Sequence, residues 1–299
     1  RLTQQFERML CDYTSSGHAI MTNSGTTALM TMLYACSIGP GDEVIVPNYT
    51  MIATPNAVRA VGATPVLVDI DLDSLSLNLE KTREAVTPRT KAIILVLANG
   101  REPSAGINAF VELCEDLDLF LLEDAAQALG SFYKNGRAMG TVGVAGMISF
   151  SVPKIITTGQ GGCVLTSDDA LASRVRGAKD FGRERGGVDI HPEFGLNFKF
   201  TDLQAAVGVA QMRKLEDRVN LKRKIFSTYR ENLSGIPEIH FFEQDLENTT
   251  PWFIDIAVPN RQKLVDHLLG AQIGTRPMYP PINKQTIYNQ DGGFSNSTW

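Results

Sequence analysis

A lysine followed by hydroxyl-bearing residues and glycines, Lys154-Ile155-Ile156-Thr157-Thr158-Gly159-Gln160-Gly161-Gly162, is the first place in this chain where chemistry could reside. Apolar residues flank it on both sides, which predicts a hairpin with a buried base. Burial disfavours a charged amine and lowers its pKa, freeing it to attack a carbonyl. Glycines in the turn let backbone approach a ligand closely. A solvated hairpin is the plainer reading, because most lysines lie on surfaces. The second signal is Leu119-Phe120-Leu121-Leu122-Glu123-Asp124, four apolar residues running into two acids. It predicts a carboxylate at the C-terminal end of a buried strand, where open α/β sheets bind ligands. Such an acid could keep a pyridine-type ring nitrogen protonated as an electron sink. Acids stabilising a helix start account for the segment about as well. Strand alternation sends Glu123 and Asp124 to opposite faces and does not choose between them. Third, Asn23-Ser24-Gly25-Thr26-Thr27 opens an amphipathic segment. Its free N–H groups and positive helix end could receive a phosphate, although N-capping alone explains the residues. Each signal is modest, but together they outline a site for a phosphorylated ring cofactor.

The elements that must position these residues alternate along the first two-thirds of the chain. Apolar strand-like runs cover 43–47, 64–68, 92–97, 119–122, 146–151 and 162–166, with helical patterns at 26–36, 55–61, 79–86 and 107–116. This alternation predicts an α/β fold, a mostly parallel central sheet flanked by helices. Gly39-Pro40-Gly41 punctuates the end of the first helical pattern. Thr201 and Gln204 fit a capping box, and the helix they open is predicted to continue past Arg213 into 214–224. From Pro251 the pattern changes to a strand at 252–258, a helix at 261–269 and a strand at 273–279. These predict a large domain over 1–215 and a smaller C-terminal α/β lobe over 216–299.

Bulk properties narrow the class. A hydrophobic content of 43% and a charged content of 20% are those of an ordinary globular protein. With a net charge of −5 and no dense basic block, no nucleic-acid partner is expected. No apolar run approaches the ~20 residues of a membrane span, and the N-terminus has no signal-peptide core. Cys11, Cys36, Cys114 and Cys163 are far apart without metal-ligand spacing, as in a reduced, cytoplasmic protein. The histidines His18, His191, His240 and His267 show no partner pattern and are read as structural or surface residues. The missing initiator Met and the Gly/Asn/Ser-rich stretch at 291–297 point to a piece of a longer protein.

The ordered segments SGTTAL, PNYTMIAT, EDAAQALGS, SFSVPKIITTGQGG and GLNFKFTDLQAA resemble the DegT-type sugar aminotransferases, which are fold-type I pyridoxal-phosphate enzymes related to aspartate aminotransferase. The resemblance runs from about residue 6 to about residue 279. The KIITTG, KDFGR and TRPMYPP segments are most similar to perosamine-synthase-like members, which aminate nucleotide-linked 4-keto-6-deoxy sugars. The family also carries segments before Arg1 and after Trp299.

The resemblance implies that Lys154 carries pyridoxal 5′-phosphate as a Schiff base and that Asp124 pairs with the ring nitrogen. It implies Gln127 at the ring's phenolic oxygen, and Thr26, Thr27 and Ser149 at the phosphate. Asn197 would reach the phosphate of a neighbouring subunit, so a homodimer with a shared active site is expected. Glutamate would donate the amino group, pyridoxamine 5′-phosphate would hold it, and the keto sugar nucleotide would accept it. Relatives that deoxygenate sugars carry His in place of this lysine, so Lys154 favours amination. Arg276 is a candidate for a donor carboxylate, since guanidinium grips carboxylates bidentately. A solvated strand residue is an equal reading of it. Arg183 and Arg185 are candidates for a nucleotide diphosphate. Met51 stands where the family stacks an aromatic ring; a thioether can still pack on a ring face, and weaker cofactor retention is expected. Asn99 and Asn283 fall in segments that bear His in relatives, where substrate is expected. Two other readings compete. Another fold-type I enzyme would need a mobile cysteine or a ring-stacking histidine, and neither is suitably placed. A non-catalytic cofactor-binding regulator would carry a DNA-binding module or basic patch.

Overall fold

The computed structural model describes residues 1–184, 186–288 and 293–297. In chain order the elements up to the lysine segment are α1 (Leu2–Thr14), β1 (His18–Thr22), α2 (Gly25–Ala35), β2 (Glu43–Pro47), α3 (Ala53–Ala60), β3 (Thr64–Val68), α4 (Leu79–Glu84), β4 (Thr90–Val96), α5 (Ile107–Asp116), β5 (Phe120–Asp124) and β6 (Ala145–Ser149). After it come β7 (Gly162–Thr166), α6 (Asp169–Ala178), α7 (Asp202–Met212), α8 (Leu215–Leu233), β8 (His240–Phe241), β9 (Ile256–Ala257) and α9 (Arg261–Gly270). The predicted strands and helices of the first two-thirds are present. The pattern reading did not register α1, β1 or α6.

Seven strands form one sheet in the order β1-β7-β6-β5-β4-β2-β3. The β2–β3, β2–β4, β4–β5 and β5–β6 pairs are parallel, and β7 is antiparallel to both its neighbours. Every strand but β7 therefore runs the same way. The C-terminal ends of β1, β2, β4, β5 and β6 line one edge, and the 150–161 segment crosses it on the way into β7. Its base is closed by Phe150 N–H donating to Gly161 O at 2.9 Å.

Alternation assigns each strand residue to one of two apolar layers. Leu122, Met147, Val164 and Ile94 pack with Leu29, Leu33, Val58 and Val175 of α2, α3 and α6. On the other face, Leu121, Ile93 and Leu95 pack with Phe110 and Leu113 of α5, and Ile148, Cys163 and Leu165 pack under α1 and α7. Phe6 of α1 is fully buried, its ring 5.1 Å from that of Phe150. Burying one such side chain contributes roughly 1.5–3 kcal/mol. Gly208 of α7 makes room for it, since a Cβ there would meet the Phe6 ring at 2.6 Å.

Two predicted features differ. The Thr201 capping box is present, but the helix it opens ends at Met212, and Lys214 N–H folds back to Gln211 O before α8 begins. Leu215 is then buried, and acids Glu216 and Asp217 occupy the first turn of α8, where a helix dipole favours them. The proposed 215/216 domain division falls in that turn. Of the predicted strand at 252–258, Ile256–Ala257 forms a strand, paired with His240–Phe241. Residues 271–281 are irregular; Pro277, Pro280 and Pro281 lack the N–H that a ladder needs.

Glu123 anchors the sheet from within. Its carboxylate is fully buried and accepts from Tyr133 O–H at 2.5 Å and from the N–H groups of Gly140, Val142 and Gly143 at 2.8, 2.6 and 2.7 Å. Glu123→Leu would leave these donors without an acceptor, at about 1–3 kcal/mol for each group left unpaired. We expect a stability loss of at least about 3 kcal/mol in urea unfolding; an unchanged midpoint would contradict the anchoring role.

Candidate active site

The layers packed on the two faces of β5 give its two terminal acids different surroundings. Glu123 shares a face with Leu121 and enters the cage just described, whereas Asp124 shares a face with Leu122 toward α3. Asp124 is 6% exposed. Its Oδ2 accepts from Thr54 Oγ1 at 2.8 Å, and its Oδ1 accepts from Ala126 N–H at 3.2 Å. Burial raises its pKa, opposed by those two hydrogen bonds and by the charge of Lys154.

Lys154 is half-buried on the segment that crosses the sheet edge. Its Nζ lies 3.6 Å from the centroid of the Trp252 indole. Desolvation lowers its pKa from 10.5 to about 8; Asp124 pulls it up and Arg276 pushes it down. Lysine and acid thus lie on the same side of the molecule and feel each other's charge. Arg276 is exposed, 5.9 Å above the Tyr279 ring. Tyr279 in turn packs against Tyr49, whose buried hydroxyl has no hydrogen-bond partner among the described residues.

Ser24 caps α2. Thr27 is committed to that cap: its hydroxyl accepts from Ser24 N–H and donates to Asn23 Oδ1 at 2.8 Å, and its N–H donates to Ser24 Oγ at 3.1 Å. The hydroxyl of Thr26, by contrast, makes no hydrogen bond among the described residues, and the first N–H groups of a helix have no intrahelical acceptor. Ser149, on the Met147 face of β6, closes the cup. A Cβ on Gly25 would meet Met147 Cε at 2.8 Å and Ser149 Oγ at 3.2 Å, so glycine is what lets the helix start lie against β6.

The other expected residues are placed as follows. Gln127 is buried, its Oε1 accepting from Asn99 N–H at 2.9 Å, which leaves Nε2 to serve a ligand. Met51 is 47% exposed, one turn before Thr54. Asn197 is exposed on a strip that runs beside the cup, where Asn23 N–H donates to Phe198 O. Arg183 is not brought to Lys154: it pairs with Asp180 and Asp189 in the wall of a separate cleft of about 890 Å³. Arg185 lies outside the described residues. Asn99 and Asn283, which fall in the segments expected near substrate, are buried in polar networks. Asn99 binds Phe253 through both main-chain groups and Asp255 through its side chain. Asn283 exchanges hydrogen bonds with Asn48. Thr54 and Trp252 escaped the sequence reading. Thr54 sits inside the quoted PNYTMIAT segment, while no local signal links Trp252 to a lysine 98 positions away.

A helix-start cup, a buried acid without an ion-pair partner among the described residues and a desolvated amine suit a phosphorylated cofactor with a basic ring nitrogen and a carbonyl. Comparison with known proteins agrees. The model of the DegT/DnrJ/EryC1/StrS aminotransferase family matches residues 1–298. The GDP-perosamine synthase of Escherichia coli O157:H7 is 34% identical over 96% of this chain and 79% of that protein. That of Caulobacter vibrioides is 39% identical over 79% of this chain and 63% of that protein. The structure of S. venezuelae DesV in complex with a ketimine intermediate superposes with a TM-score of 0.91 at 33% identity, covering 99% of this chain and 81% of that one. DesI in the presence of its TDP-sugar product superposes at 0.89 with 29% identity, covering 99% and 76%. The chain belongs to the DegT/DnrJ/EryC1/StrS aminotransferase family, whose members work with pyridoxal 5′-phosphate. The fold is the α/β class that the resemblance implied.

The lowered pKa of Lys154 has a consequence for stability. The folded state resists the charged form, so its penalty is complete below about pH 8 and fades as pH rises toward 10.5. Cofactor-free protein should therefore gain stability from this group across that interval. Lys154→Met should remove that rise and be the more stable protein at pH 7. Equal pH slopes for the two proteins in chemical denaturation would count against a desolvated Lys154.

Proposed function

We propose that this chain transaminates a nucleotide-linked keto sugar of the 4-keto-6-deoxyhexose class, with glutamate as the amino donor. The observation that carries this reading is the half-buried Lys154 amine set beside buried Asp124 at one sheet edge. Likeness to GDP-perosamine synthases and to a DesI structure with a TDP-sugar product supports a nucleotide sugar as acceptor.

Pyridoxal 5′-phosphate, when bound, supplies a carbonyl that takes up the amino group and a ring that withdraws electrons. Lys154 would hold the cofactor through its amine and Asp124 would meet the ring nitrogen, with Thr54 and the Ala126 N–H orienting the carboxylate. The Gly25 and Thr26 N–H groups with the Thr26 and Ser149 hydroxyls receive the phosphate. Thr27 supports this cup through its cap. Gln127 Nε2 would be free to donate to the phenolic oxygen, and Met51 would offer its thioether to the ring. Lys154 Nζ, once free, would take up the donor's Cα proton and deliver it to the carbon that had been the cofactor's carbonyl; an amine poised near 8 can do both near neutral pH. Arg276 receives the donor carboxylate. A panel of GDP- and TDP-linked 4-keto-6-deoxyhexoses with glutamate should yield 2-oxoglutarate and amino sugar. Lys154→Ala should lose activity by at least about 10²–10⁴-fold. Near-normal turnover in that variant, or no turnover on any member of the panel, defeats the proposal.

The proposal includes a homodimer with a shared site. Ile190 and Phe194 are 64% and 67% exposed beside Asn197, and Leu203 of α7 is 84% exposed. A second copy covering this apolar surface would remove it from water and let Asn197 reach across. Sedimentation should show a dimer, with Leu203→Glu shifting it toward monomer and lowering activity. A fully active monomer would rule the shared site out.

A further inference from the structure

Trp252 makes contacts that the proposed function does not use. Its indole face lies under the Lys154 amine, 3.6 Å from centroid to Nζ. Its Nε1–H donates to Pro153 O at 2.7 Å, pinning the peptide that leads into the lysine. Its carbonyl accepts from Lys222 Nζ of α8 at 2.9 Å. One residue on, Phe253 N–H donates to Asn99 Oδ1 at 2.7 Å, and Asn99 N–H reaches Gln127. The 252–253 pair therefore ties the lysine segment to the loop that follows Asp124. Trp252 is 3% exposed and lies 3.8 Å from the Phe253 ring, so it has no room to swing aside.

An indole attracts an ammonium through the negative potential of its face, and more strongly where water is excluded. Among the described residues Lys154 forms no ion pair or hydrogen bond through Nζ. The charged and titratable groups around it are Asp124 of β5, Arg276 and Tyr279 of the 271–281 segment, and Lys222 and Arg218 of α8, the last donating to Ile155 O at 3.2 Å. Of these only Asp124 favours a charged amine, and it does so without an ion-pair contact.

We propose that Trp252 is a positioning residue whose indole docks the Lys154 amine whenever that amine is not covalently engaged, fixing Nζ at the Asp124 edge and favouring its protonated form. The catalytic consequence rests on Lys154 being the cofactor-bearing lysine; the docking itself belongs to the cofactor-free protein. The ring opposes desolvation, so removing it lowers the pKa of the lysine further. The two roles of the indole separate by substitution. Trp252→Phe keeps an aromatic face and loses the N–H to Pro153, while Trp252→Leu loses both.

The chain has two tryptophans, Trp252 and Trp299, so Trp299→Phe leaves Trp252 as the sole indole reporter. In cofactor-free protein of this background, indole emission should titrate near pH 8 as the ammonium above it loses its proton, and Lys154→Met should abolish the transition. In the same background, the pH profile for modification of Lys154 by an amine-reactive reagent, mapped by mass spectrometry, should move down by about half to one pH unit in Trp252→Leu. Trp252→Phe should give a smaller shift. Emission that stays flat from pH 6 to 10, or a transition that survives Lys154→Met, overturns the docking; so does an unchanged modification profile in both Trp252 variants. Should Trp252→Leu fail to fold, the emission titration and Trp252→Phe still decide. A flat titration with a productive sugar panel sinks only the docking, while a titrating indole with an unproductive panel sinks only the proposed function.

Discussion

Successive side chains of a strand leave opposite faces, and at the end of β5 this gives two adjacent carboxylates opposite fates. Glu123 enters a cage of three main-chain N–H groups and a tyrosine hydroxyl, which satisfies its charge inside the protein. Asp124 receives one hydroxyl and one N–H and, among the described residues, no cation within ion-pair distance. A buried carboxylate so poorly matched is costly unless something positive completes it. Under the proposed function, a protonated ring nitrogen would fill that deficit. The structural acid makes the edge rigid, and the underpaired acid makes it receptive.

The parallel run of strands brings the remaining groups to the same edge. Ser149 ends β6 on the face of Asp124, and α2 starts where β1 ends. The lysine segment has to cross the edge because β7 runs back antiparallel. Lys154 then sits between opposing influences. Desolvation drives its proton off, while Asp124 and the indole of Trp252 favour keeping it. An amine balanced near 8 can change protonation state at little cost near neutral pH.

Two buried polar networks fasten C-terminal segments to the sheet. Asn99 and the Arg101–Asp255 ion pair, whose side chains are 3% and 1% exposed, fasten the 252–255 segment onto the end of β4. Asn283 and Asn48 fasten the 282–284 turn beside the end of β2. Both networks lock C-terminal segments against the sheet edge that bears the site. The wall around Lys154 is therefore held by buried hydrogen bonds as well as by apolar contact.

The local signals that were legible in the sequence are those with short-range causes. The apolar runs of β2, β3 and β7, the Thr201 cap and the glycine-opened helix at Gly25 depend on residues a few positions apart. The lysine hairpin and the strand ending in acids could be read for the same reason. Which of Glu123 and Asp124 faces the site could not, because it depends on which layer of helices covers each face. Nor could the break between α7 and α8, which follows from the need to bury Leu215. Thr54, Trp252 and the engagement of Arg183 by Asp180 and Asp189 likewise involve partners assembled only by the fold. The sequence alone determined that a capped helix start, an acid at a strand end and a lysine hairpin follow one another in this order along the chain. Only the tertiary structure set them at one edge and gave each its surroundings, because desolvation and charge pairing depend on neighbours in space rather than along the chain.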